Sequence, residues 1–318
     1  MKYFFNRKRA FLSLFSFILL FNLHAEFHVI PMLDFGILEL QDDSYLFSPA
    51  GKLQFKYEKD EGEVSNMPDV IAGYFSYSQD IFSAGIEGYE EKQFHGIGCF
   101  GKIVFSKNSF LLKIDDRGAH PFDSYKNFEG ILMYGRELIK NDNMTLTLGG
   151  GLAATDTGLT INDIDIFIVP MPMLYFSYKN EFVKTEVEWI GLPSVNFTVL
   201  PEKMFQIRGN CSLAGLDLPG DIRFDCALCC CPLIKTSIGD LVYISAGISN
   251  NIKKFRIDIE NSLKYQYYCA YGEISATALT VRAGYAFEGN KTLRVQDNKI
   301  KDKYDGGFFV SIGGMYKF

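Results

Sequence analysis

Charged side chains recur at every second position in several stretches of this 318-residue chain. In "VKTEVEW" (183–189), Lys184, Glu186 and Glu188 alternate with valines and a tryptophan. Because successive side chains of a β-strand point to opposite faces, this spacing gathers the charges on one face. Such a face can line an aqueous channel for small solutes, or its charges can pair with one another and bind nothing.

The same alternation continues through the second half of the chain, and we interpret its polar positions as facing an aqueous interior. Charges of both signs predict no strong ion selectivity, with a slight preference for cations from the acidic total. An interior that is simply filled by paired charges is the alternative. The predicted lumen-lining residues are Lys184, Glu186, Glu188, Arg208, Arg223, Asp225, Arg256, Asp258, Glu260, Lys264 and Arg282.

A glycine pattern, "GIGCFG" (96–101), has the spacing of a dinucleotide-binding loop. The residues that follow it, "KIVFSKNSFLLKI", are typical of a strand and a turn, whereas a pyrophosphate site needs a helix there. Glycines at this spacing inside a strand instead indicate curvature or close backbone approach. "LGGG" (148–151) is interpreted in the same way, and no cofactor is predicted.

Seven cysteines include the cluster "CALCCC" (226–231). Three of the clustered thiols are nearly adjacent, which fits poorly with a tetrahedral zinc site, so no metal is predicted. Disulfides or inert thiols are favoured for an exported protein. If the cluster lies on a strand, Cys226 and Cys230 share one face, and Cys229 and Cys231 share the other.

Catalytic motifs of the G-x-S-x-G or H-E-x-x-H type do not occur in the sequence. His95 and His120 could join a serine or an aspartate only by spatial assembly, and nothing in their spacing supports this. The sequence therefore predicts that the protein is not an enzyme.

The elements that must position the charged face are predicted to be long strands, and the fold class is all-β. Helical spacing is scarce, and the clean alternations run for twelve to fourteen residues in 254–267 and 276–287. A soluble sandwich, the alternative, needs only about five or six residues per strand, whereas a tilted bilayer-crossing strand needs about 9–11. Other predicted strands are 68–77, 80–88, 97–105, 109–116, 128–138, 143–152, 164–178, 183–189, 204–213, 222–230 and 241–249.

A membrane location requires this sheet to close. Backbone groups at an open sheet edge would face lipid without hydrogen bonds, so we predict an antiparallel transmembrane β-barrel of about 10 to 16 strands. The longest interruption, 288–306, is strongly charged and is predicted to be a loop.

The first 25 residues are predicted to be a secretory signal peptide, with a basic start, an apolar stretch and "LHA" before Glu26. A retained anchor is the alternative. Without them the chain has 28 basic and 38 acidic residues, a net charge of −10, which disfavours nucleic acid as a partner. Residues 26–318 are predicted to be the barrel domain, and 26–50, with Pro31 and Pro49, are the least strand-like part and could lie outside it.

The chain ends in "GFFVSIGGMYKF", which resembles the C-terminal assembly signal of bacterial outer-membrane β-barrel proteins. "AGYAFEGNKTLRV" followed by this ending is similar to the last hairpin of an uncharacterised group of such barrels. The resemblance implies a place in the cell outer membrane, contact with its lipid and recognition by the barrel-assembly machinery. The residues that match the signal are Phe308, Val310, Ile312, Gly314, Tyr316 and Phe318.

Together these features predict passive passage or binding of small solutes through a charged lumen. The alternative is a non-conducting surface barrel that acts through its loops in adhesion or another interaction.

Overall fold

The computed structural model describes residues 28–40, 44–59, 68–83, 92–122, 127–155, 160–161, 164–165, 167–213, 221–230, 242–257, 261–276, 279–295, 298–304 and 306–315. Signal residues 1–25, Cys231, Asp258, Glu260, Tyr316 and Phe318 lie outside these ranges.

Long β-strands make up almost all of the described chain. Their bounds are β1 His28–Glu39, β2 Tyr45–Glu58, β3 Val70–Phe82, β4 Gln93–Phe105, β5 Asn108–Gly118, β6 Phe128–Lys140, β7 Met144–Ala154, β8 Thr160–Ile161, β9 Ile164–Asp165, β10 Ile168–Lys179, β11 Val183–Ile190, β12 Leu192–Val199, β13 Phe205–Leu213, β14 Ile222–Cys230, β15 Tyr243–Arg256, β16 Ser262–Ser275, β17 Leu279–Val295, β18 Asn298–Tyr304 and β19 Phe308–Met315.

The strands close into an antiparallel barrel. Each wall strand pairs with its neighbours in sequence, and β1 also pairs with β19, from Met32 opposite Met315 to Leu38 opposite Phe309. Of the 17 strands in the large sheet, β18 pairs only with the outer half of β17, so the wall has 16 strands. The predicted all-β barrel is confirmed.

The wall includes the segment 26–50 that seemed least strand-like, so the prediction that it could lie outside the barrel is wrong for its described residues. β1 pairs on both sides, with β2 and with β19. Pro31 lies opposite Leu53, and Pro49 opposite Phe35. A proline removes one ladder hydrogen bond, but pairing continues on either side of both prolines and holds the strands in place.

Residues 254–267 were predicted to be one strand but are two. β15 ends at Arg256, β16 begins at Ser262, and the Ile257 amide donates to the Asn261 carbonyl at 3.0 Å to close the turn. Phe255 pairs with Leu263, so odd-numbered residues stay on one face in both strands. The alternation therefore passes through the turn without a break in the sequence pattern.

The charged segment 288–306 also differs from its prediction as a loop. It contains the end of β17 and all of β18, which pair from Gly289 opposite Tyr304 to Val295 opposite Asn298. Lysines at alternate positions are compatible with a strand when their face meets water. The segment is therefore largely a β-hairpin.

One face of the wall carries a nearly continuous apolar belt. Large exposed side chains of β1 and β19 illustrate it: Leu33, Phe35, Ile37, Phe308, Val310 and Ile312. The last three match the terminal pattern read from the sequence.

Two ends of the barrel are distinguished by chain direction. The end at which β1 begins and β19 finishes is called the terminal end, and the opposite one the distal end. At the terminal end, two or three residues separate the strands at 106–107, 141–143, 180–182 and 276–278, and the intervals 59–69 and 231–242 are longer. At the distal end, the longer intervals are 83–92, 119–127 and 155–167, and the single residue 191 separates β11 from β12.

Glycines allow the backbones of β6 and β7 to approach each other closely. A Cβ on Gly149 or Gly151 would lie 1.9 Å from the carbonyl oxygen of Tyr134 or Leu132. Only glycine permits this close approach of two backbones. The sequence "LGGG" thus marks close backbone approach, one of the two roles that the sequence indicates for these glycines.

The two faces of β12 give a direct test of membrane orientation. Val195 belongs to the apolar face, while Ser194 faces Glu188 of β11 across the ladder. We expect Val195→Lys to destabilise the folded barrel by about 2–4 kcal/mol, because a charge in the lipid core is costly. Ser194→Lys is the matched control and should fold normally. Urea titration of barrels in lipid vesicles measures the free energy of unfolding of both variants. Equal stability of the two would contradict the assignment of faces.

Candidate functional site: the barrel interior

Contacts between distant strands identify the interior face of the wall. The Lys253 ammonium of β15 lies 2.6 Å from Asp80 Oδ1 of β3 and 2.6 Å from Ser48 Oγ of β2. Strands separated by several others in the ring can join side chains this way only across the barrel. The face opposite the apolar belt is therefore the interior.

Seven of the eleven predicted lumen positions lie on this interior face. The register follows one row around the wall, from Glu186 to Asn196, Asn210, Asp225 and Ser249. Members of the same face are Lys184, Glu186, Glu188, Arg208, Arg223, Asp225 and Arg282.

The assignment of Arg256 and Lys264 to the interior is wrong, and Asp258 and Glu260 lie outside the described residues. On the opposite face of the same strands, Phe255, Leu263 and Tyr265 are only 4%, 0% and 7% exposed. Here the apolar face points inward and the charged face points to solvent. Alternation reveals that two faces differ, but it does not reveal which one is inside.

The part of the sheet in which the apolar face points inward folds over the distal opening. The distal halves of β15, β16 and β17, with β18, are called the tongue (250–256, 262–267, 289–295 and 298–304). Pairing between β14 and β15 stops at Asp225 opposite Ser249. Beyond it, the Asn250 side chain accepts from the Phe224 amide and donates to the Ile222 carbonyl, both at 2.7 Å. The Asn250 side chain thus pairs with backbone groups of β14 at the point where the tongue leaves the barrel wall.

The tongue reaches the far side of the barrel. The Ala119 amide, just after β5, donates to the Arg256 carbonyl at 2.9 Å. β5 lies eight places from β15 in either direction around the 16-strand ring, which is the opposite wall. The tip of the tongue therefore spans the distal opening.

Aromatic side chains seal the space beneath the tongue. The Phe255 ring lies 4.8 Å from the ring of Phe94 and 5.4 Å from that of Phe82, and Tyr265 stacks 5.5 Å from Phe82. These rings join Leu46 and other apolar residues of β1, β2, β16 and β17 in one buried cluster. Water is therefore excluded from the space that these packed rings occupy.

Some interior charges neutralise one another. Arg282 of β17 donates from Nη1 to Asp225 at 2.9 Å and from Nη2 to Glu273 at 2.7 Å. Its guanidinium also lies 4.1 Å from the ring centre of Tyr271, whose hydroxyl donates to Asp225. This group is satisfied without solute, as the alternative of paired interior charges requires.

Other interior charges remain in contact with water. The Lys184 and Glu186 side chains are 2.9 Å apart but keep 45% and 33% of their surface exposed. Arg208 is also exposed. It donates to Gln206 Oε1 from Nε at 3.3 Å and from Nη2 at 3.0 Å, and its guanidinium lies 4.8 Å from the ring centre of Tyr243. The interior along β11 to β13 is therefore hydrated, unlike the sealed half.

Several interior charges were missed in the sequence. Lys113 bridges Asp115 at 2.7 Å and Glu129 at 2.9 Å, and Lys253 pairs with Asp80. Asp80 could have been found, because it continues a row of serines at alternate positions in "SYSQD". Lys253 could not, because it stands next to a second lysine and the sequence does not say which of the two points inward.

The remaining motifs have structural roles. "GIGCFG" lies within β4, and a Cβ on Gly98 would meet Asp115 Oδ1 at 2.4 Å, so the glycine permits close packing. The six described cysteines, Cys99, Cys211, Cys226, Cys229, Cys230 and Cys269, are free thiols, so no disulfide joins any two of them.

Histidines also fall in structural positions. The His95 Nδ1 lies 2.8 Å from the Tyr77 hydroxyl, and both residues stand on the outer face. Within the described ranges, no group of three or more His, Cys, Asp or Glu side chains is arranged to hold a metal ion. No helix long and apolar enough to cross a membrane occurs in the part of the chain that the structure covers.

The Lys253–Asp80 contact is expected to hold the tongue across the opening. Lys253→Met removes the ammonium and leaves Asp80 facing Ser48 alone, so the hairpin between β15 and β16 should open more often. Proteinase K cleavage between residues 254 and 264 should become faster, while Lys56→Met, in an exposed ion pair with Glu58, should not change it. Unchanged cleavage in Lys253→Met would show that the aromatic cluster alone holds the tongue.

The stability of the tongue should depend on pH, because Asp221 contacts two of its lysines. Burial raises the pKa of Asp221, but Lys264 at 2.5 Å and Lys254 at 3.2 Å outweigh burial and lower the pKa below its usual range. A carboxyl with a lowered native pKa stabilises the fold above its unfolded pKa, and the contribution is lost as pH falls through the native pKa. Below that point the lysines, which pair directly across the ladder, repel each other.

We therefore expect the backbone amides of residues 262–267 in Asp221→Asn at pH 7 to be as weakly protected from hydrogen exchange as those of the wild type at acid pH. Hydrogen exchange of residues 262–267, followed from pH 7 to pH 2 in both proteins, measures the effect. An Asp221→Asn variant as protected as the wild type at pH 7 would contradict the role of the carboxylate.

Comparisons with known proteins find distant likenesses to solved barrels, whereas no family model and no curated protein matches the chain. A triple mutant of the Rhodopseudomonas blastica porin aligns over 92% of this chain and 100% of its own, with 9% identity and a TM-score of 0.40. Acinetobacter baumannii OccAB4 aligns over 92% and 98%, with 8% identity and a TM-score of 0.37. Pseudomonas aeruginosa OpdQ aligns over 92% and 99%, with 9% identity and a TM-score of 0.38. The closed 16-strand wall of this chain is established by its own strand pairing.

Proposed function

We propose that this protein is an outer-membrane barrel that lets small solutes pass through the hydrated half of its interior. The observation that carries the proposal is the exposure of charged side chains on an inward face, at Lys184, Glu186 and Arg208. A charge pointing into a dry interior would need a full set of partners, as Arg282 has. Charges left exposed inside a closed wall require water there.

The proposed route runs beside β10 to β14, away from the aromatic cluster under the tongue. Its wall carries both signs, with Glu186 and Glu188 on β11 facing the interior and Arg208 on β13. Balanced charge favours a general passage with weak ion selectivity.

The location and partners are part of this proposal. Residues 1–25 would direct export, and the barrel-assembly machinery would read the terminal residues Phe308 to Phe318. The apolar belt would contact outer-membrane lipid. Short turns are typical of the periplasmic side, so the distal end with the tongue would face outward. We propose no cofactor, no nucleic-acid partner and no catalysis.

A non-conducting surface barrel is the second candidate, and the tongue favours it. The contact of Arg256 with Ala119 across the distal opening would oppose passage if it never opened. The β17–β18 hairpin would then present a binding surface to molecules outside the cell.

Conductance in planar bilayers decides between the two. We first expect a boiled and an unboiled sample to migrate differently in a gel, as a detergent-resistant barrel does. The unboiled protein should then conduct. Arg208→Gln should raise the cation-to-anion permeability ratio about fourfold, because removing one charge at about 10 Å in water changes each of the two permeabilities about twofold in opposite directions.

The matched control is Lys299→Gln, which removes a cation from the outer face of β18. It should leave the permeability ratio unchanged. A folded barrel that shows no conductance would refute passage and leave the surface-protein candidate.

A further inference from the structure

A cavity of about 260 Å³ lies beneath the base of the tongue, between opposite walls of the barrel. Its lining comes from β3, β4 and β5 on one side and from β14 and β15 on the other. The residues that argue for its role are Arg117, Arg223, Lys253 and Asp80. The volume suits a small metabolite or an inorganic ion.

The lining carries more positive than negative charge. Asp80 is occupied by the ammonium of Lys253 at 2.6 Å, which makes that pair neutral. Arg117 and Arg223 add two positive charges from opposite walls, and the two guanidinium groups repel each other. Asp221 attracts Arg223 but forms no ion pair with it, because Lys254 and Lys264 engage both of its oxygens.

The donors of the two arginines are only partly used. Arg223 donates from Nη2 to the Ile252 carbonyl at 2.5 Å, but its Nε is buried and has no hydrogen-bond partner among the described residues. A buried N–H without a partner costs free energy comparable to a lost hydrogen bond. Arg117 is exposed to the cavity and forms no ion pair with any residue in the described ranges.

We propose that this cavity binds a small oxyanion, a phosphate or carboxylate group, held between Arg117 and Arg223. Both groups match the planar fork of a guanidinium, which donates two parallel hydrogen bonds to two oxygens. An anion placed there removes the repulsion between the arginines and gives the buried Nε an acceptor. A neutral solute with a carbonyl oxygen can accept from Nε, but it leaves the repulsion between the arginines in place.

The proposal deepens the proposed function, since it names the class of solute that the barrel retains. It also holds for a barrel that does not conduct, because the cavity is part of the wall and the tongue. A binding measurement in detergent and a conductance measurement in bilayers therefore test the two separately.

The test is calorimetric titration of the folded full-length barrel in a non-ionic detergent with inorganic phosphate, succinate and the neutral analogue succinamide. Phosphate or succinate should bind at one site, and succinamide should not. Arg117→Gln should weaken anion binding by about tenfold or more, because a charge-assisted pair is lost. The anion affinity of Arg117→Lys should lie between those of the wild type and Arg117→Gln, because lysine keeps the positive charge but cannot donate two parallel hydrogen bonds.

Arg223→Gln should weaken binding similarly, and the boiled and unboiled gel mobility shows whether it has folded. Arg136→Gln, an exposed arginine of β6 whose strand does not line the cavity, is the charge-matched control and should bind as the wild type does.

Three results would overturn the proposal: no anion binding by the wild type, equal binding of succinamide, or wild-type affinity in Arg117→Gln. Anion binding without conductance would refute only the proposal of solute passage. Conductance without anion binding would refute only the proposal that the cavity binds an oxyanion.

Discussion

Closure of the sheet is the constraint on which the rest of this structure depends. In the membrane location that the sequence predicts, a backbone amide or carbonyl facing lipid without a partner would cost several kcal/mol, so every wall strand would need a neighbour on both sides. The pairing of β1 with β19 supplies the last of these contacts. It explains why the segment around Pro31, poor in strand signals, is still a strand: without it, two edges would be left open. Closure outweighs local propensity here.

Once the wall is closed, its interior must be filled with protein or with water, and this barrel uses both. The tongue bends inward where Asn250 satisfies the end of β14, and its apolar face packs on Phe82 and Phe94. No segment among the described residues covers the interior along β11 to β13 in this way, and its charges stay exposed. The two halves of the interior thus differ because one stretch of sheet leaves the wall.

The interior charges follow from this division. Some of these charges are paired through short contacts, as Arg282 is with Asp225 and Glu273. Burying an ion without such partners would cost more than its attraction returns. Arg117 and Arg223 depart from this rule, since they line one cavity and neither forms an ion pair with a carboxylate of the described residues, Asp80 being engaged by Lys253. That departure is the reason for placing an anion there.

The sequence by itself determined the strand class, the closed barrel and the two chemically distinct faces of each strand, because period-two alternation is a local property of the chain. It also located Arg208, Asp225 and Arg282 on the polar face of their strands. Only the tertiary structure decided which face points inward at Arg256 and Lys264, because that depends on the tongue folding over the opening. The pairing of Lys253 with Asp80 was likewise beyond the sequence. Residues 173 positions apart meet only through the curvature of the whole wall, and no local pattern encodes that distance.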